Sequence, residues 1–96
     1  MRKLYLVTYD ISHPKRLKKV FGIMRGFGDH LQYSVFRCEL SPKERQQLIM
    51  KLDPVINHEE DQVLLFPLGP AGGENEEGVE ALGKIYQPYE RCAIVV

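Results

Sequence analysis

The hydrophobic pattern changes period several times along the chain, and each change marks an element. Residues 4–9, Leu-Tyr-Leu-Val-Thr-Tyr, are an unbroken run of strand formers. In a strand, Leu4, Leu6 and Thr8 point one way and Tyr5, Val7 and Tyr9 the other. Neither face is polar, so both need a cover: helices for one and, in so small a chain, a second subunit for the other. The period then lengthens. Leu17, Val20, Phe21 and Met24 recur at helical spacing, with Ser12 placed to cap the helix, Pro14 in its first turn, and Gly26 and Gly28 as the stop. From Gln32 the chain alternates again, Gln32/Ser34/Phe36/Cys38/Leu40 against Tyr33/Val35/Arg37/Glu39. No Asn-Gly or Pro-Gly pair marks a turn in residues 30–40, so the pattern fits one long strand or two strands about a sharp bend. Ser41-Pro42-Lys43-Glu44 reads as a capping box with proline at the first helical position. Leu48, Ile49 and Leu52, joined by Val55 and Ile56, give that helix its buried stripe, and Pro54 ends or kinks it. Residues 57–61 read as a turn and residues 62–66 as a short apolar strand.

Beyond Phe66 the periodicity dissolves. Residues 67–80 form an acidic, Gly/Pro-rich loop, and residues 81–96 close on the apolar run Cys92-Ala-Ile-Val-Val. An apolar strand left unpaired at the end of a chain is a sticky edge, so this one is expected to join a sheet across a homodimer. The pattern is one domain over 1–96, with its core in 1–66. It predicts an α+β sandwich in which an antiparallel sheet carries two helices on one face, a ferredoxin-like arrangement.

Composition changes this picture in one respect. The 96 residues carry no formal net charge, yet residues 1–53 hold eleven Lys/Arg against five Asp/Glu, and residues 54–96 hold two against eight. A basic half points to an anionic partner; equally, the two halves can attract each other within or between subunits. Cys38 and Cys92 both lie in strand-like runs with no Cys-x-x-Cys or His/Cys cluster nearby, which reads as buried thiols in a reducing compartment. No stretch is apolar enough to span a bilayer, and Met1-Arg2-Lys3 leads directly into the strand pattern, so a cytoplasmic protein is expected.

The candidate chemistry begins where the first strand ends. Asp10 stands between that strand and the next helix, where a carboxylate is held rigidly and still reaches solvent. That is a good position for a metal ligand. Its bland alternative is a helix cap, but Ser12 already stands in the capping position. The helix that follows carries Lys15, Arg16, Lys18, Lys19 and Arg25, which taken alone read as a solvated face.

Tyr9-Asp10-Ile11-Ser12, the helical run Lys15-Arg16-Leu17-Lys18-Lys19-Val20, Gly28, Leu31-Gln32-Tyr33-Ser34-Val35-Phe36 and Glu39-Leu40-Ser41 together resemble the CRISPR-associated Cas two family, the small subunit of the spacer-acquisition machinery. The likeness runs in order and spacing from Met1 to about Phe66. It implies a ferredoxin-like homodimer whose terminal strand joins the neighbouring sheet, with Asp10 of each subunit meeting its mate at the interface and binding a divalent metal, Mg2+ or Mn2+. It implies metal-dependent endonuclease activity on single-stranded RNA or double-stranded DNA, and assembly with the integrase Cas one around a DNA duplex. The chain departs from the pattern at His13-Pro14, where many members carry an acidic residue.

Phosphodiester cleavage needs an activated water and a way to spread charge on the phosphate, and a magnesium ion held by one or two carboxylates provides both. One chain offers Asp10; two-fold symmetry offers a pair, which repel until a cation joins them. Arg16 and Lys19, one helical turn apart, are the expected phosphate ligands, with Lys15 and Lys18, and then Arg25 and Arg37, along the same track. Tyr9 reads as a core aromatic with a wet hydroxyl, alternatively as a substrate-orienting group. Ser34 has no His/Asp constellation and reads as a strand hydroxyl. Phe36 reads as core, with base stacking as the alternative. Of the scattered histidines only His13 lies beside Asp10, where proton transfer is conceivable. Two functional readings result: a magnesium-dependent endonuclease acting through Asp10, and a non-catalytic two-fold DNA platform in an integration complex. A third is a ribonuclease toxin of the virulence-associated D type.

Overall fold

In the computed structural model, which describes residues 1–71 and 82–83, the elements run β1 (Lys3–Asp10), α1 (Pro14–Arg25), β2 (Gly28–Gln32), β3 (Val35–Leu40), α2 (Pro42–Leu52) and β4 (Gln62–Pro70). The strands form one antiparallel sheet in the order β2-β3-β1-β4. Each helix connects strands that are not neighbours in the sheet, and the architecture is ferredoxin-like α+β, as the pattern predicted. The bend in residues 30–40 is real: β2 and β3 are separate strands joined through Tyr33 and Ser34, with a register shift between His30 and Gln32. The expected terminal strand and most of the acidic loop lie outside the described residues.

The core lies between the sheet and the helices. Val7 and Tyr9 from β1, Phe36, Cys38 and Leu40 from β3, Val20, Phe21 and Met24 from α1, and Leu48 and Leu52 from α2 are all buried there. Phe36 is completely covered and meets the Phe21 ring edge-on at 5.5 Å, so it is a core aromatic and its face is closed to bases. Burial pushes the Cys38 thiol up to about 12, with Asp29 adding to the effect, which makes it an inert core thiol.

Four local readings change. Leu17, placed on the buried stripe of α1, is 41 % exposed; the stripe is Val20, Phe21 and Met24 alone. Gly28 is not part of the helix stop, which is made at Gly26, whose N–H donates to the Ile23 carbonyl. Gly28 opens β2 instead, where an added Cβ would lie 2.5 Å from both the Arg37 carbonyl oxygen and the Cys38 sulfur. β4 does not stop at Phe66 but continues through Pro67 to Pro70, pairing Pro67 with Tyr5 and Pro70 with Lys3. A proline survives there because β4 is an edge strand among the described residues and the ladder is irregular between Leu4 and Tyr5. Finally, His13 rather than Ser12 caps α1: its Nδ1 accepts from the Lys15 N–H at 3.1 Å. The capping box of α2 is formed as expected, with the Glu44 N–H donating to Ser41 Oγ and the Ser41 N–H to Glu44 Oε1.

The other face of the sheet carries no described element. Register places Leu6 beside Phe66 and Arg37, Thr8 beside Leu64 and Val35, and Asp10 beside Gln62 on that face. Leu64 is 40 % and Phe66 45 % exposed. Among the described residues this is an apolar surface with Arg37 beside it on β3, opposite Leu6, and Asp10 at the end of β1.

Candidate functional site

Asp10 is the last residue of β1, is exposed, and has its main chain held in register with Gln62. Alternation places its side chain on the open face, while Tyr9 turns into the core at 5 % exposure. The Tyr9 hydroxyl donates to the Tyr33 carbonyl at 3.5 Å, and burial pushes it up to about 12. It therefore keeps its proton at neutral pH, and its ring braces the strand behind Asp10, stacked on Phe36 with centroids 6.3 Å apart.

Next to Asp10 lies a polar cluster that no local pattern announced. The Asp61 carboxylate, immediately before β4, has no exposed surface. Its Oδ1 accepts from the Ser12 N–H at 2.9 Å, the Ser12 hydroxyl at 3.1 Å and an Arg16 amino group at 3.3 Å. Its Oδ2 accepts from Arg16 Nε at 2.8 Å and from the Asn57 N–H at 2.8 Å. These donors hold the Asp61 carboxyl well below the usual carboxylate range, the Arg16 guanidinium contributing most. Glu60 accepts from the same Arg16 amino group at 3.1 Å. Ser12 lies outside the cap of α1: its N–H and hydroxyl donate to this carboxylate, and its oxygen accepts from Arg16 rather than from the helix.

The cations of α1 therefore divide. Arg16, expected on phosphate, donates to Asp61, Glu60 and Ser12 within its own chain. Lys15, Lys18 and Lys19 are exposed along the helix. Arg25 lies 5.9 Å from the Phe21 ring centroid, over its face, and Arg37 is on the open sheet face with Asp10. The histidines do not converge: His13 caps α1, His30 packs between the Phe21 and Phe36 rings, and His58 Nε2 meets the Asp53 carbonyl at 3.0 Å. Among the described residues no three His, Cys, Asp or Glu side chains gather as a metal site. Among the described residues of one chain, Asp10 belongs to no such group.

Comparison with known proteins gives this arrangement its context. The family model described as CRISPR associated protein Cas2 matches residues 2–74, which include every candidate site residue named above. The chain belongs to the Cas2 family. It is 41 % identical over 92 residues to the CRISPR-associated endoribonuclease Cas2 1 of Rhodospirillum rubrum, covering 96 % of this chain and 89 % of that protein. It is 38 % identical over 96 residues to the CRISPR-associated endoribonuclease Cas2 of Geobacter sulfurreducens, covering the whole of both. Among solved structures, Streptococcus pyogenes Cas2 superposes with a TM-score of 0.73 at 32 % identity, over 83 % of this chain and 99 % of that one. A hypothetical protein from Thermus thermophilus gives 0.75 at 28 % identity, over 93 % and 100 %. The Cas2 fold is thus the fold described above. None of its described helices is long and apolar enough to cross a membrane.

Proposed function

We propose that this Cas2 chain acts in CRISPR adaptation as a homodimeric, metal-dependent endoribonuclease, with Asp10 as the metal-binding residue of each subunit. One observation carries the reading: Asp10 is an exposed carboxylate at the end of the central strand, on the rim of an apolar sheet face with no described cover. Stacking that face on its mate buries Leu64 and Phe66 and brings two Asp10 side chains to one interface.

The donor set fits a hard divalent cation only in that pair. Magnesium takes one or two carboxylates and keeps several waters, so two aspartates suffice where a single Asp10 is a poor site. When bound, such an ion supplies an activated water and neutralises charge on the phosphate. The chain's own part is separate. The ladder pairing with Gln62 and the buried Tyr9 ring hold the Asp10 backbone, while Lys15, Lys18 and Lys19 offer an exposed basic track for the nucleic-acid backbone. Arg16, engaged with Asp61, takes second place in that track.

Calorimetric titration of magnesium into wild type and Asp10→Asn, with RNA and duplex DNA cleavage measured alongside, tests this. Heat present in wild type and absent in the variant is expected; equal heats end the proposal. The exposed lysines of α1 also favour a second reading, a two-fold platform under duplex DNA bound with the Cas one integrase. That reading alone survives if Asp10→Asn spares spacer acquisition and no purified preparation cuts nucleic acid.

A further inference from the structure

Building on Asp10 as the reactive carboxylate, we infer that Asp61 is the positioning residue that fixes the β1–α1 turn behind it. Asp61 directly precedes Gln62, the ladder partner of Asp10, and its side chain grips Ser12, two residues beyond Asp10. The turn is therefore held at three consecutive positions. Asp10 is in the sheet, Ile11 is buried in the core, and Ser12 donates twice to Asp61. The same carboxylate holds Arg16 in the first turns of α1 and the Asn57 N–H in the loop after α2. One covered group thus ties together the strand carrying Asp10, the helix carrying the lysine track and the strand beside them.

This arrangement is costly unless it is complete. A carboxylate without solvent contact needs its lone pairs filled, and here five donor contacts fill them. A plain apolar plug would close the gap between α1 and β4 but would leave the Ser12 N–H and the Arg16 guanidinium without their acceptor. The grip matters for chemistry because a shared cation tolerates only about 0.5 Å of drift in each of its ligands.

Asp61→Ala, Asp61→Asn and Asp10→Asn, made in the full chain, test the inference with two readouts: cleavage kinetics on single-stranded RNA and amide hydrogen exchange at Ser12. In Asp61→Ala, kcat is expected to fall by about 10- to 100-fold with KM nearly unchanged. The Ser12 amide is expected to exchange at the rate of an exposed loop. Asp61→Asn keeps an acceptor oxygen for Ser12 and should retain protection with an intermediate kcat; it serves alone if the alanine variant fails to fold. Leu40→Ala, a core truncation at the end of β3 that pairs with Lys3, the opposite end of β1 from Asp10, controls for lost stability. A kcat loss in Asp61→Ala no larger than in Leu40→Ala overturns the inference, and so does unchanged exchange at Ser12. Wild-type cleavage by Asp10→Asn sinks the metal-ligand reading instead, while Ser12 exchange still decides whether Asp61 holds the turn.

Discussion

Two aspartates at the same end of the sheet are treated in opposite ways. Asp10 ends β1 with its side chain exposed, and Asp61 leads into the neighbouring strand with its side chain fully covered. Asp61 is filled with donors from three segments, whereas Asp10 rests on the open face beside Gln62. The comparison shows what a carboxylate does when its partners come from inside the chain and what it is left to do when they do not. Asp61 holds structure; Asp10 is available to something outside the chain.

The sharpest way to break this comparison is to remove each charge in turn. Asp10→Asn should lower single-turnover RNA cleavage by about two to three orders of magnitude, the usual scale for losing one preorganised electrostatic contact. It should shift stability by no more than about 0.5 kcal/mol, as for other surface substitutions. Asp61→Ala should do the reverse in emphasis, lowering the melting temperature more than any exposed carboxylate variant such as Asp53→Ala. If Asp10→Asn melts early and Asp61→Ala does not, the two roles are assigned the wrong way round.

The next effect is in pH. The folded-state pKa of Asp61 lies below the unfolded value, so its contribution to stability is complete above the unfolded carboxylate range, about pH 4, and is lost as pH falls through the folded pKa. Melting curves of wild type and Asp61→Ala should therefore differ by a constant amount near neutrality and converge on acidification. A gap that widens as the pH drops would mean that Asp61 is not held ionised by Arg16 and Ser12.

A smaller effect separates the cations in the same way. Lys18→Ala and Lys19→Ala should each reduce the slope of log affinity against log salt for duplex DNA by about one, as expected for one lost phosphate contact. Arg16→Ala should change that slope less and the melting temperature more, since its guanidinium is paired with Asp61 and Glu60. An Arg16 variant that melts like wild type and loses the salt slope restores Arg16 to the phosphate track.

How much of this was legible follows from the range of each interaction. The β1 run, most of the α1 and α2 stripes and the Ser41–Glu44 capping box are set by neighbours a few residues apart, and the structure forms them, with Leu17 outside the buried set of α1 and Ile49 outside that of α2. The order of elements led to the ferredoxin-like fold and the strand-end position singled out Asp10, while the resemblance carried by Tyr9–Ser12 and Gln32–Phe36 pointed to the family. The grip of Asp61 on Ser12 and Arg16 spans 49 and 45 residues, and in sequence Asp61 closes an ordinary polar turn. Its only advance sign is its place directly before the strand that pairs with β1, and that needs the sheet order first. The continuation of β4 through Pro67 was hidden for a similar reason, because a proline is acceptable only on an edge, and edges are a property of the assembled sheet.

The smallest expected effect lies at the start of α1 and follows from the same contrast. Ser12 is the better capping residue by type, but its hydroxyl is turned to donate to Asp61 and its oxygen accepts from Arg16, and His13 Nδ1 accepts from the Lys15 N–H instead. His13→Ala should then cost about 0.5–1 kcal/mol, within the usual range for a lost cap, and His13→Asn should recover it. Combining His13→Ala with Asp61→Ala should be less than additive in thermal melts, because the Ser12 side chain, no longer turned towards Asp61, can rotate so that its oxygen accepts from the first turn of α1. Strict additivity would show that Ser12 stays away from the helix even without Asp61, and that the backbone of the turn, not the carboxylate, decides which residue caps α1.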